Sequence, residues 1–245
     1  MNDLSDAELD RSAGVIRNPV STGELSRRSC ISVALLVLLV SLAALSSLSL
    51  QNRLLGLVVI FLYFTYSWVV RAKARPMLDV AYHGLCLAIL AAMGYTEFRP
   101  FDVSCLFLVS MVFLLSVMSQ ILQEVRDYET DRSMIRTTVT FLGKRRSLII
   151  CLALFTSAFS LFLLSLFYGV VPLESLLLSP LTYFIIAPIT QAIWNEEYED
   201  RMLREIRERR LIMIALLIAV SILGRIYSPL AWLNQVFTAF ITGSP

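Results

Sequence analysis

The sequence has 245 residues, of which 57% are hydrophobic and 16% charged, and its mean hydropathy is +0.73. A soluble domain carries about 25% charged residues, so this composition excludes an ordinary soluble domain. The net charge of +2 decides nothing as a total. The placement of the charges is what informs, and no nucleic-acid partner is expected.

The first thirty residues are polar and lack the apolar stretch of a secretory signal. Within them Asn2, Asp6 and Asp10 are spaced i, i+4, i+8, which on a helix puts them on one face. Apolar segments follow at 31–50, 54–70, 77–95, 102–122, 148–169, 175–194 and 211–233. Segments of about 20 apolar residues span a bilayer core. Backbone groups in lipid must pair within their own segment, so the spans are helices. The predicted fold is all-α: a polytopic membrane helical bundle of about seven transmembrane helices, forming one domain over 1–245. Pro180 and Pro188 are expected to kink the sixth span. The stretch Asn195 to Arg210 mixes Glu and Arg at helical spacings and reads as an amphipathic loop helix. Cys30, Cys86, Cys105 and Cys151 lie in or beside apolar segments without metal spacing, and read as small packing residues.

Counting spans puts the N-terminal tail and the loops 71–76, 123–147 and 195–210 on one side. That side holds eighteen of the 21 Lys and Arg residues. Arg53, Arg99 and Arg225 fall on the other. The positive-inside rule makes the basic side cytoplasmic.

A second acidic cluster lies on that same side. Asp127 and Asp131 repeat the i, i+4 spacing, and Ser116, Gln120 and Glu124 extend the polar stripe back into the fourth span. Such a stripe faces a bundle interior or a watery cavity. Like charges at i, i+4 cost a few tenths of a kcal/mol per pair, a cost that a divalent cation offsets. Mg²⁺ prefers oxygen ligands, keeps several waters and takes one or two carboxylates plus substrate phosphates. Two separated carboxylate pairs therefore suit a magnesium–diphosphate group. Either cluster alone also reads as an ordinary acidic loop; their shared side is what favours a site. Arg71, Lys73 and Arg75, at the end of the second span, could pair with diphosphate oxygens, and they also serve as a topology signal. On the third span Asp79 and His83 stand one turn apart, with a mutual hydrogen bond as the plain expectation and proton transfer to an acceptor as the functional one.

These residues resemble the UbiA-type intramembrane prenyltransferases. The first motif of that family, NDxxDxxxD, is matched by Asn2 to Asp10. Its second, DxxxD followed by Arg-Thr and Leu-Gly, is matched by Asp127 to Asp131, Arg136-Thr137 and Leu142-Gly143. Between them Tyr66-Ser67 with Arg71 and Lys73 is similar to the family's YS-x-PP-x-R-x-K stretch. The resemblance implies Mg²⁺-dependent attack of a lipophilic acceptor on an isoprenyl diphosphate, within membrane lipid. It implies Mg²⁺ ligation by Asn2, Asp6, Asp10, Asp127 and Asp131, with Asp6, Asp127 and Asp131 central to catalysis. Lys73 and Arg71 would contact the diphosphate, and Tyr66 would face the allylic cation. Acceptors in such a family include aromatic acids, quinone precursors, tetrapyrroles, glycerol-phosphate lipids and carotenoids. The stretch Arg71 to Asp79 leans toward a polyisoprenoid acceptor.

Three departures stand out. The family has nine spans with two before the first motif, whereas seven are predicted here. Val69-Val70 replaces a double proline, and Met134 stands at a position expected to be small. A CDP-alcohol phosphotransferase would need a compact DG-x₂-AR…G-x₃-D-x₃-D pattern, which this sequence lacks. A transporter would place ionisable groups near mid-membrane, and a degenerate, non-catalytic homologue would tolerate loss of the aspartates that are present here.

Overall fold

The computed structural model describes residues 2–12, 14, 18–171, 175, 176, 179, 182–195, 201, 202 and 204–206. Among these residues the regular elements are helical and no strand occurs. They are α1 (Asn2–Ser12), α2 (Arg27–Ser46), α3 (Leu50–Phe64), α4 (Leu78–Thr96), α5 (Val103–Asp131), α6 (Thr138–Leu142), α7 (Lys144–Phe167) and α8 (Tyr183–Trp194). A π-helical turn (Thr65–Val69) and a 3₁₀ turn (Ala72–Ala74) join α3 to α4. The chain divides into two compact units, Met1–Lys144 and Arg145–Pro245.

Helices α2, α4, α5 and α7 are long and apolar enough to cross a membrane. The chain is accordingly read as an all-helical membrane protein. The predicted span 211–233, with Arg225, lies outside the described residues, as do Pro180 and most of the predicted loop helix at 195–210. Helix α2 buries none of its side chains. Lipid tails are as apolar as leucine, so such a helix needs no protein partner to stay dry.

Serines set the first boundaries. The Ser26 side chain accepts the Ser29 N–H and starts α2 at Arg27, four residues before the expected 31. Ser49 accepts the Asn52 N–H and starts α3 at Leu50. The connection expected at 51–53 therefore lies at 47–49, and Arg53 belongs to the first turn of α3. Both are N-cap bonds, which satisfy backbone donors that the first helical turn leaves unpaired.

Helices α4 and α5 form the closest pairing in the first unit. Gly84 makes it possible: a methyl there would sit 2.6 Å from Val117 Cγ2. Cys86, Ala88, Ile121 and Val125 are buried around it. At one end of this unit Asn52, fully buried, donates to Met93 O (3.1 Å) and Glu97 Oε2 (2.6 Å), and accepts from Thr96 Oγ1 (2.9 Å). There too the Asp102 carboxylate caps α5 through the Cys105 N–H and takes the Tyr95 hydroxyl, both at 2.9 Å.

Helix α5 continues to Asp131, nine residues past the end expected from hydropathy. The apolar stretch stops near 122, but no Gly or Pro follows until Gly143, so the backbone ladder continues. Glu129 pairs with Arg132 (3.1 Å) and Lys144 (3.3 Å) beyond the apolar part. The short α6 opens on a capping box, with Thr137 and Thr140 each satisfying the other's backbone. It ends at Gly143, whose φ of 83° and ψ of 153° lie in a region that is essentially glycine-only.

In the second unit Cys151, Phe155 and Ala158 are buried on α7, and Pro188 is buried within α8. The Arg145 guanidinium lies 5.7 Å from the Trp194 ring centroid. The four cysteines are free, with Cys30 half-buried and the other three buried.

Candidate functional site

The segment between α3 and α4 is irregular at both ends. The last turn of α3 widens into the π-helical turn Thr65–Val69, closed by the Val70 N–H on Thr65 O at 3.0 Å. Turns of this kind are rare and often mark functional positions. It carries Tyr66, whose ring lies 6.3 Å from that of Tyr82 on α4, and the buried Ser67. Arg71 then takes a left-handed conformation, φ 49° and ψ 46°. The 3₁₀ turn after it holds Lys73, only 8% exposed. Met77 also has a positive φ, at φ 69° and ψ −36°. Residues other than glycine at positive φ are uncommon, and here two of them bracket one buried lysine. Arg71 and Arg75 are exposed.

The first acidic cluster rides on α1, which packs against the π-helical turn. Leu4 and Ala7 on α1 bury themselves with Val20 against Leu25 and Cys30, and this anchors the helix. Asp10 is half-buried, and one of its oxygens accepts from Asn18 Nδ2 at 2.7 Å. The Asn18 side-chain Oδ1 in turn accepts the N–H groups of Val20 (3.0 Å) and Ser21 (3.3 Å). The side chains of Asn2 and Asp6 lie outside the described residues.

The second cluster sits on the last turns of α5. Arg126 grips Asp127 in two bonds, Nε to Oδ1 at 3.0 Å and Nη2 to Oδ2 at 2.8 Å. The arginine is partly exposed, and pairs of this kind contribute about 0–1 kcal/mol, so a stronger ligand can displace it. Asp131 is half-buried one turn on. Upstream the expected polar stripe faces inward: Ser116 and Glu124 are buried, and Gln120 Nε2 donates to Glu124 Oε1 at 3.2 Å.

The expected Asp79–His83 hydrogen bond is not formed. Asp79, 1% exposed, instead accepts the Val80 N–H (2.8 Å), the Thr138 N–H (2.6 Å) and the Thr138 hydroxyl. Those donors point back toward the start of α4 and out to α6, away from the next turn where His83 sits. Thr138 also accepts the Met77 N–H at 2.7 Å, and Val139 donates to Glu124 Oε2 at 3.2 Å. Helix α6 thereby ties the basic loop to α5. The Thr137-x-x-Thr140 spacing was available as a capping signal; the pairing with Asp79, 59 residues away, had no local signal.

The structure thus gathers α1, the π-helical turn, the Lys73 loop, α6 and the end of α5 through successive contacts within one unit. Among the described residues no three His, Cys, Asp or Glu side chains converge tightly enough to hold a metal ion. The carboxylates described, Asp10, Asp127 and Asp131, are hard oxygen donors, a donor set that fits Mg²⁺.

Residues 1–206 match the model of the UbiA prenyltransferase family. A digeranylgeranylglyceryl phosphate synthase from Pyrococcus horikoshii is 27% identical over 151 residues, covering 61% of this chain and 53% of that protein. The chain thus spans about half the length of the curated relative it matches. Among solved structures, a UbiA homolog from Archaeoglobus fulgidus bound to GPP and Mg²⁺ aligns with a TM-score of 0.63 at 24% identity, over 89% of this chain and 80% of that one. The same homolog bound to DMAPP and Mg²⁺ gives 0.61 at 21% identity, over 100% and 82%. These structural likenesses show the fold.

Proposed function

Since the chain belongs to the UbiA prenyltransferase family, we propose that it transfers a prenyl group from an isoprenyl diphosphate to a lipophilic acceptor within the membrane, in a Mg²⁺-dependent reaction. One observation carries the reading. The helix bearing the first acidic cluster packs on the turn that enters the Lys73 loop, and Thr138, seven residues past Asp131, is bonded to the other end of that loop. Each acidic cluster is therefore linked, through one intervening contact, to the segment that carries the buried Lys73, which supports a shared site. The GPP and DMAPP bound with Mg²⁺ in the Archaeoglobus structures support the substrate class.

In this reading Asn2, Asp6 and Asp10 hold one side of the magnesium–diphosphate and Asp127 and Asp131 the other. Mg²⁺ bound there neutralises the leaving diphosphate. Lys73 and Arg71 donate to diphosphate oxygens through charge-assisted bonds. The allylic carbon–oxygen bond breaks, the acceptor forms its bond to that carbon, and the acceptor's proton is released. The Tyr66 ring face stabilises positive charge on the allyl group. The excess of Lys and Arg counted on this side supports a site at the cytoplasmic face of the cell membrane.

Membranes containing the chain, supplied with labelled farnesyl or geranylgeranyl diphosphate and a lipid extract, should release diphosphate and label a lipid product. Chelation of divalent ions should stop this, and added Mg²⁺ should restore it. Label transfer that continues unchanged under chelation refutes the metal-dependent reading.

A further inference from the structure

Two buried carboxyl groups, Asp79 and Glu124, both bond the start of α6. Neither belongs to the acidic clusters discussed so far. Asp79 accepts the N–H groups of Val80 and Thr138 and the Thr138 hydroxyl. Glu124 accepts from Gln120 Nε2 and from the Val139 N–H. With Thr138, all three residues are at most 5% exposed. A buried polar network is costly unless every member is satisfied, and a fully satisfied one rigidifies what it joins.

What it joins is specific. Thr138 begins α6, and its hydroxyl accepts from Met77, the positive-φ residue that closes the Lys73 loop. Asp79 lies in the first turn of α4, two residues after Met77. Glu124 lies on α5, three residues before Asp127. A methionine at positive φ is in an unfavourable backbone state that persists only where its surroundings enforce it. Here the enforcing contact is the Met77 N–H on Thr138.

We infer that Asp79, Glu124 and Thr138 are positioning residues: through these hydrogen bonds to α6 and Met77 they hold the Lys73 loop in its path against the segment of α5 that leads into Asp127. The inference rests on the prenyl-transfer reading for what the positioning serves. The cluster itself rests on the hydrogen bonds alone.

The two carboxyls then differ in what they tolerate. Glu124→Gln keeps an acceptor for the Val139 N–H, with the Gln120 amide free to flip. Asp79→Asn turns an amide NH₂ toward donors that need an acceptor. Asp79→Asn and Thr138→Val should each raise KM for farnesyl diphosphate by about tenfold, the scale of one hydrogen bond. Glu124→Gln and Thr138→Ser should stay within about twofold of the parent, well under the scale of one bond. Met77→Gly, which takes a positive φ without strain, should recover most of the KM lost in Thr138→Val.

A second readout is independent of turnover. Limited trypsin digestion of the full chain in detergent should cut after Lys73 in Asp79→Asn and Thr138→Val, and spare it in the parent and Glu124→Gln. Equal damage from Glu124→Gln and Asp79→Asn in KM and digestion overturns the cluster. So does failure of Met77→Gly to recover KM. A parent chain inert toward prenyl diphosphates that still shows the digestion pattern overturns the functional reading and leaves the clamp on the loop standing.

Discussion

Replacing Gly84 by alanine tests how closely α4 and α5 approach, and hence what holds the site's two main helices together. The added methyl would sit 2.6 Å from Val117 Cγ2 and 3.0 Å from Phe113 Cε2. Carbon atoms prefer about 3.5–4.0 Å, so the Val117 contact is short by about 1 Å. Phe113 can swing its ring aside, but a β-branched residue on a helix has essentially one side-chain rotamer, so Val117 cannot turn away. Overpacking of this kind costs about 1–3 kcal/mol, while exchanging glycine for alanine inside a helix returns about 1 kcal/mol. The net expectation is a destabilisation on the order of 1 kcal/mol, recovered when Val117→Ala is added. Thermal unfolding in detergent, followed by tryptophan fluorescence, measures all four members of the double-mutant cycle. A Gly84→Ala chain as stable as its parent, or a double variant no better than Gly84→Ala, refutes the close approach.

Glu97 and Asp102 lie at the other end of the same unit, just outside the membrane-spanning helices, and predict a pH effect. Bonds from Asn52 and then from Ser49 hold the Glu97 carboxyl below its ordinary value of 4.5. The Cys105 N–H and the Tyr95 hydroxyl do the same for Asp102, ordinarily 3.8. A depressed folded-state pKa stabilises the fold above the unfolded value, and that stability is lost as pH falls through the folded one. Glu97→Gln and Asp102→Asn should therefore melt below the parent near neutral pH and converge with it in acid, beneath those ordinary values; a gap that stays constant in acid would contradict this. Gly143→Ala should cost about 1–3 kcal/mol through backbone strain alone, since a methyl there meets nothing within 4 Å. An unchanged melting temperature for that variant would show that the turn relaxes freely.

Much of this architecture can be read from residue patterns, and the parts that cannot share a physical reason. Apolar runs of span length locate α2, α4, α5 and α7 because hydropathy in a membrane is a one-dimensional signal. The same signal misplaces the end of α5, since polarity marks where lipid ends and not where a helix does. Asn2, Asp6 and Asp10 at four-residue spacing anticipate a helix, and α1 spans them. Serine caps explain the shifted starts of α2 and α3, and a reading that weighed them ahead of hydropathy would have placed both. The positive-φ backbones at Arg71 and Met77 had no local sign, because neither residue favours that state and the contact holding Met77 comes from Thr138. Asp79 was legible as a buried acid but not as the partner of α6, 59 residues away.

If two acidic clusters, far apart in the chain, serve one magnesium–diphosphate, then loss of either should stop the reaction. The most direct measurement is Mg²⁺-dependent turnover of labelled farnesyl or geranylgeranyl diphosphate by the parent, Asp6→Ala and Asp127→Ala, each checked for correct folding by size-exclusion profile. Either substitution alone should abolish turnover. Full activity in either variant would contradict this, since one cluster would then suffice.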